Sequence, residues 1–315
     1  MYQLGGGVVM GWAMGANDGG NVFGTAVASR MVGYRVAVTL SALFILCGAV
    51  LQGTKGIETI GELTVQSSQS AMVTSLVAGA TVILMTAAKL PVSTSQAVMG
   101  ALIGMGLRTA PQHVQWEGLV KVVICWVGTP IGAAILAAVL YPCLGALLDR
   151  MRLNIVTRSI LLRGGLLVSG CYGAYALGAN NVANVTGVYS RTGLMTELGD
   201  HAEEMLALIG GLSIALGVIT YSKNVMLTVG SRLVQLGAFS ALISVVAMAL
   251  TVHFYAMVGV PVSTSQAIVG AVLGIGIAKS VRTINGTVLL HICLGWVLTP
   301  AIAGVTCYLV GWLTV

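Results

Sequence analysis

Long apolar runs separated by short polar stretches dominate the chain, and Val36 to Thr54 and Leu233 to Val252 are almost unbroken. Roughly 20 such residues carry a helix across the hydrocarbon core of a bilayer. Only structures that satisfy their own backbone hydrogen bonds survive there. The pattern therefore predicts an all-α integral membrane protein. Helices are expected at about 4–28, 36–54 and 117–148. Residues 69–108 read as a re-entrant hairpin whose tip is Pro91 to Gln96, and 233–278 as its counterpart. The descending arm 69–88 is long for half a membrane, so it either tilts or crosses fully.

The pattern repeats. Pro91-Val92-Ser93-Thr94-Ser95-Gln96-Ala97 recurs letter for letter as Pro261-Val262-Ser263-Thr264-Ser265-Gln266-Ala267. Gly15-Ala16-Asn17-Asp18 with Asn21 matches Gly178-Ala179-Asn180-Asn181 with Asn184. Downstream, Trp126-Val127 and Thr129-Pro130 match Trp296-Val297 and Thr299-Pro300. Three landmarks in the same order define two transmembrane repeats, 1–150 and 151–315.

Composition agrees with a lipid-embedded chain, because only 8% of its residues are charged against about 25% in soluble domains. The 42 glycines imply close helix packing and, at some positions, unwound backbone; Gly-rich faces also permit a homodimer. The net charge of +6 is no sign of nucleic acid, because the bases sit in short loops where they set topology. Arg150, Arg152, Arg158 and Arg163 mark the linker as cytoplasmic. The loop after the first Asn-Asp segment holds Arg30 and Arg35 and no acid, whereas its equivalent holds Arg191 with Glu197, Asp200, Glu203 and Glu204. Opposite character in equivalent loops indicates inverted-topology repeats, a common transporter plan. The resulting trace puts both termini outside a multi-pass cell-membrane protein. Arg30, Arg35, Arg150, Arg152, Arg158, Arg163, Lys223, Arg232, Lys279 and Arg282 then lie inside, and Lys55, Arg108, Lys121 and Arg191 outside. The N-terminal apolar stretch runs straight into the most polar motif and does not read as a cleavable signal. The six cysteines read as small buried hydrophobes. His113, His201, His253 and His291 form no ligand-like cluster and read as loop or packing residues.

Asp18 carries the sharpest functional signal, because a charge at membrane depth costs at least ~2.5–3.5 kcal/mol and is rarely idle. With Asn17 and Asn21, and freed backbone carbonyls, it offers hard oxygen donors for Na⁺, or a proton carrier; Asp18 and Asn17 are the first candidates for holding Na⁺. Asn180, Asn181 and Asn184 repeat the cluster. The bland alternative makes Asp18 a helix cap. The tips suit an anion. Proline turns the preceding residue out of helix. Ser93, Thr94, Ser95 and Gln96, and likewise Ser263, Thr264, Ser265 and Gln266, then open a helix whose free N–H groups favour negative charge. Ser93-x-x-Gln96 also fits a capping box. Lys89 has Gly259 in its place in the second half; it attracts the anion, pairs with Asp18, or snorkels. No metal-ligand spacing, nucleophile elbow or P-loop points to an enzyme or a cofactor.

At these residues the chain resembles the inorganic phosphate transporter (PiT) family. That family carries a Gly-Ala-Asn-Asp segment once per half, and Pro-Val-Ser-Thr-Thr-His tips. The resemblance covers essentially the whole chain. It implies a cation-coupled symporter for inorganic phosphate, with Na⁺ or H⁺ as driving ion. The Asn and Asp segments and the tips together would hold ions and substrate. This chain departs at Asn181, where the family has its second Asp, and at Gln96 and Gln266, where it usually has His. The first change removes a carboxylate beside the anion, and the others change its donors. The readings open at this point are a phosphate symporter working by alternating access, a sulfate or related oxyanion permease of the same fold, a passive anion channel and, more distantly, a receptor without flux.

Overall fold

The computed structural model describes residues 2–88, 92–232, 237–279 and 286–314; Lys89, Pro91, Leu233 and Arg282, singled out above, lie outside them. Among the described residues there are helices and turns and no strand. The first half holds α1 (Gly5–Ala28), α2 (Tyr34–Gln52), α3 (Thr54–Glu62), α4 (Ser68–Ala87), α5 (Thr94–Thr109) and α6 (Trp116–Arg150). The second holds α7 (Ile155–Thr186), α8 (Leu194–Leu198), α9 (Ala202–Arg232), α10 (Ala238–Val258), α11 (Thr264–Ala278) and α12 (Gly286–Thr314).

Seven of these stretches are long and apolar enough to cross a membrane. They are α2, α4, α6, α7, α9 (counted from Leu194), α10 and α12, so the long arm α4 is itself of membrane length. The chain is a multi-pass membrane protein. α5, with 16 residues, and α11, with 15, reach only about 24 Å at 1.5 Å per residue, short of a ~30 Å hydrocarbon core. α11 follows a break in the helix at 259–263. Gly259 ends α10 at φ +78°, a left-handed cap that glycine adopts without strain.

Exchange of the two halves leaves the packing plan unchanged. α1 lies on α9 and α2 on α7; α5 lies on α12 and α11 on α6; α1 lies on α4 and α7 on α10. Glycines set the closest approaches. A Cβ on Gly15 would stand 1.9 Å from the Ile214 carbonyl oxygen, and one on Gly178 2.0 Å from that of Ile45. The same holds for Gly100 against the Pro300 carbonyl, at 2.2 Å, and Gly270 against that of Pro130, at 2.1 Å. Neighbouring helices also have defined directions. Along α1, Gly11, Gly15 and Gly20 meet Ser213, Ile214 and Met226 in turn, so α1 and α9 run the same way. Gly48, Gly53 and Gly56 likewise meet Tyr175, Val182 and Ala183, so the chain from α2 into α3 runs with α7. A five-residue turn, 29–33, joins α1 to α2.

Two expectations need correction. The glycines of the Asn-Asp segments do not unwind the chain, because α1 and α7 continue through them; their missing side chains are spent on contact instead. Nor are the cysteines mostly buried. Cys307 is, but Cys143 and Cys293 are exposed and the other three are half-buried, since a thiol is apolar enough to face lipid. Of the histidines, His253 joins three helices. Its Nε2 lies 2.6 Å from the Gln52 amide oxygen, which can only accept, so Nδ1 accepts from the Tyr172 hydroxyl at 2.7 Å.

Candidate functional site

Asp18 lies in the interior of α1, with no solvent exposure. It is therefore no helix cap. A buried carboxylate needs hydrogen-bond donors to offset its lost hydration. Two donate to Oδ2: the Thr94 hydroxyl at 2.7 Å, from the first tip, and the Asn181 amide at 2.9 Å, from α7. Oδ1 has a 3.5 Å contact with the Asn21 amide, and the Thr264 and Ser265 hydroxyls of the second tip also hydrogen-bond to the carboxylate. Among the described residues no basic side chain forms an ion pair with it. The carboxylate is thus held by hydroxyls of both tips and by the Asn181 and Asn21 amides.

The same Asn21 amide nitrogen also donates to Ser265 Oγ at 3.1 Å and lies 3.5 Å from Thr264 Oγ1. Asp18 Oδ1, Thr264 Oγ1 and Ser265 Oγ therefore surround the Asn21 amide nitrogen. These are hard oxygen donors of the kind small hard cations take. The mirror position is built from Asn181, Asn184, Thr94 and Ser95. There the Asn184 amide donates to Ser95 Oγ at 3.0 Å. Ser95 Oγ donates in turn to the Val262 carbonyl at 3.0 Å, and Thr94 is committed to Asp18.

Asn180 and Asn17 occupy equivalent places but act differently. Asn180 grips the backbone of the second tip. Its Oδ1 accepts from the Val262 N–H at 2.9 Å, and its Nδ2 donates to the Val262 carbonyl at 2.8 Å and to Asn181 Oδ1 at 2.6 Å. Asn17 donates to Thr86 Oγ1 at 3.0 Å. The tips also differ. Ser263 caps α11 by accepting from the Gln266 N–H at 3.3 Å, one arm of the capping box. Ser93 makes no such bond to α5.

Four buried oxygens here have no donor: Ser93 Oγ, Gln96 Oε1, Asn184 Oδ1 and Gln266 Oε1. Native interiors rarely leave such groups unpaired, because each costs about 1–3 kcal/mol. They are four of nine such side-chain atoms among the described residues, and they lie at or beside the two tips. Burial differs between the two repeats. Asn17 and Ser265 are half-buried, whereas their repeat partners Asn180 and Ser95 are buried.

Asp18, Asn181, Asn180, Asn184, Asn21 and the tip residues Thr94, Ser95, Thr264 and Ser265 thus share one continuous network. Ser93, Gln96, Ser263 and Gln266 open the two tip helices beside it, and Asn17 stands at its edge. Sequence reasoning missed two participants. Val262 acts through its backbone, and only its place in the repeated motif hints at it. Thr86 has Ala256 at the equivalent position, so the repeat gives no signal for it.

Comparison with known proteins places these features. The model of the phosphate transporter family matches residues 14–307. A Methanocaldococcus jannaschii protein named "Putative phosphate permease" is 30% identical over 291 residues, covering 92% of this chain and 89% of its own. A Pyrococcus furiosus protein of the same name is 26% identical over 379 residues, with 95% and 92% covered. A solved structure of a protein named "The sodium-dependent phosphate transporter" superposes with a TM-score of 0.86 at 23% identity, covering 99% of each chain.

Proposed function

We propose, from the premise that this chain belongs to the phosphate transporter family, that it carries inorganic phosphate across the cell membrane by symport with Na⁺. The observation that carries the reading is the meeting of both tips and both Asn-Asp segments around Asp18 in one buried network. Phosphate would sit between the tip helices, held by hydroxyls and free N–H groups. The names of the relatives support phosphate, and the sodium dependence in the name of the structural neighbour supports Na⁺.

The unpaired oxygens favour phosphate over sulfate. Gln96 Oε1, Gln266 Oε1, Asn184 Oδ1 and Ser93 Oγ lack donors. Phosphate near neutral pH retains protons and can donate P–O–H to such acceptors. Sulfate has none to give. A site whose buried acceptors stay unpaired discriminates strongly against the ligand that leaves them so.

Alternating access is read from the halves. α2 and α7 run the same way, and a short turn makes α1 and α2 antiparallel neighbours. α1 and its repeat partner α7 then point in opposite directions, which supports an inverted repeat of 1–150 by 151–315. The one-sided burial of Asn180 and Ser95 against Asn17 and Ser265 supports a state closed toward one face of the membrane. With both termini outside, the accessible side faces inward.

Uptake of labelled phosphate into proteoliposomes tests the reading. An inward Na⁺ gradient should drive accumulation that excess sulfate does not suppress. Uptake of sulfate in place of phosphate would overturn the substrate. Flux indifferent to the gradient, and unchanged by Asp18→Asn, would identify a passive anion channel.

A further inference from the structure

We propose that the seam between α4 and α12 is a binding slot for one acyl chain of a membrane phospholipid, present in the first half of the chain and closed in the second. The proposal does not depend on which anion is carried.

Two helices of membrane length form the slot. They touch at two levels. The Cys307 thiol donates to Thr74 Oγ1 at 4.0 Å, and the Thr299 hydroxyl to Met85 Sδ at 3.7 Å. Between these contacts the helices part around a cavity of about 380 Å³. Its walls are Leu76, Ala80 and Leu84 on α4, and Ile302, Thr306 and Val310 on α12. Thr81 lines it too, but its hydroxyl is spent on the Val77 carbonyl at 2.8 Å. From Leu76 to Leu84 the slot runs roughly 12 Å at 1.5 Å per residue. Leu84 and Ile302 are 69% and 44% exposed, and the slot continues into the exposed Val305 and Leu309. It therefore opens onto the surface that the bilayer covers. Left empty, its walls would forfeit dispersion contacts, and water finds too few polar partners there to fill it. The acyl chains beside it have the matching chemistry.

The repeat supplies the comparison. The equivalent seam lies between α10 and α6. There Leu250 stands for Ala80, Phe254 for Leu84, Tyr255 for Met85, Leu136 for Thr306 and Leu140 for Val310. Leu136, Leu140 and Tyr255 pack against the buried core. Val246, Ala247 and Gly132 are smaller than their counterparts Leu76, Val77 and Ile302. Yet a Cβ on Gly132 would stand 3.8 Å from Thr251 Cγ2, so α6 and α10 are in contact at the level where Ile302 and Thr81 line the cavity. The scaffold thus allows a closed seam, and small side chains at 80 and 306 keep the first one open. A bound acyl chain would brace α4, the arm that leads to the first tip, against α12, on which α5 rests at Gly100.

Lipid labelling tests this. The full chain is reconstituted in vesicles of phosphatidylcholine that carries a photoactivatable group on one acyl chain. After irradiation and digestion, the labelled residues are mapped by mass spectrometry. Labelling of 76–85 and 302–310 should exceed that of the equivalent 246–255 and 132–140 several-fold. Ala80→Leu/Thr306→Leu, which puts the second half's side chains into the slot, should lower it to the level of the second seam. Equal labelling of the two seams in the wild type overturns the proposal, and so does undiminished labelling of the folded double variant. Cross-links between copies through 76–85 and 302–310, in place of lipid, would seat a second copy there and also overturn it. If the double variant fails to fold, Ala80→Leu alone and the two wild-type seams still decide.

Discussion

The Asn-Asp segment of the first half and its repeat in the second occupy equivalent helices, yet they do different work. Asn17, Asp18 and Asn21 carry the buried charge, which Thr94, Asn181, Thr264 and Ser265 bond from across the fold, while Asn17 reaches Thr86. Asn180, Asn181 and Asn184 form the firmer side, with both Val262 backbone groups, Asp18 and Ser95 all engaged. Across the repeat, the charge thus stands on one side and the grip on the second tip's backbone on the other. The difference teaches that a repeat fixes where side chains stand, while a single change such as Asp against Asn decides which position acts on charge.

The comparison breaks most sharply at the charge. Asp18→Asn should lower sodium-driven phosphate uptake about 100-fold, matching the loss of a charged contact worth roughly 2.7 kcal/mol. Asn181→Ala should cost uptake far less, and equal losses in the two variants would deny Asp18 its special role. Close contact is where the halves should behave alike. Gly15→Val and Gly178→Val each force a side chain against a carbonyl oxygen about 2 Å away. Each should destabilise the fold by at least ~1–3 kcal/mol, read as a matching fall in the melting midpoint in detergent.

Anchoring should separate the halves again. Asn180→Ala leaves the buried Val262 N–H without its acceptor, the carbonyl keeping Ser95, and should cost about 1–3 kcal/mol. Asn17→Ala loses one bond to Thr86 and should cost under about 1 kcal/mol, by the same melting measurement. The smallest effect concerns the caps. Ser263→Ala removes a formed cap and should cost about 1 kcal/mol of stability. Ser93→Ala removes an oxygen that caps nothing, so its melting midpoint should stay put while its affinity for labelled phosphate weakens.

Much of this was legible along the chain. The membrane-length apolar runs, the twofold repeat and the paired polar motifs lie in residue order, because hydrophobic length and motif identity are local properties. Helix ends near 28, 52 and 150 fall within a few residues of the expected ones. Legibility failed where a residue's role depends on its neighbour across the fold. The sequence implies that glycines pack closely and that some unwind, but not which; those of α1 and α7 are points of contact. Asn180 resembles an ion ligand but grips a backbone. Asn181 looks like a lost carboxylate and proves to be a donor to the one that remains.

The sequence by itself determined that the chain lives in lipid, that it is built twice, and which polar residues are too costly to bury without purpose. Only the tertiary structure decided which of them face one another, and which oxygens are hydrogen-bonded. The reason is physical. Burial in lipid is a sum over local apolar surface, which composition and run length report. Hydrogen bonds such as Asn181 to Asp18 span 163 positions of chain and are set by distances of a few tenths of an ångström, which exist only once the helices have packed.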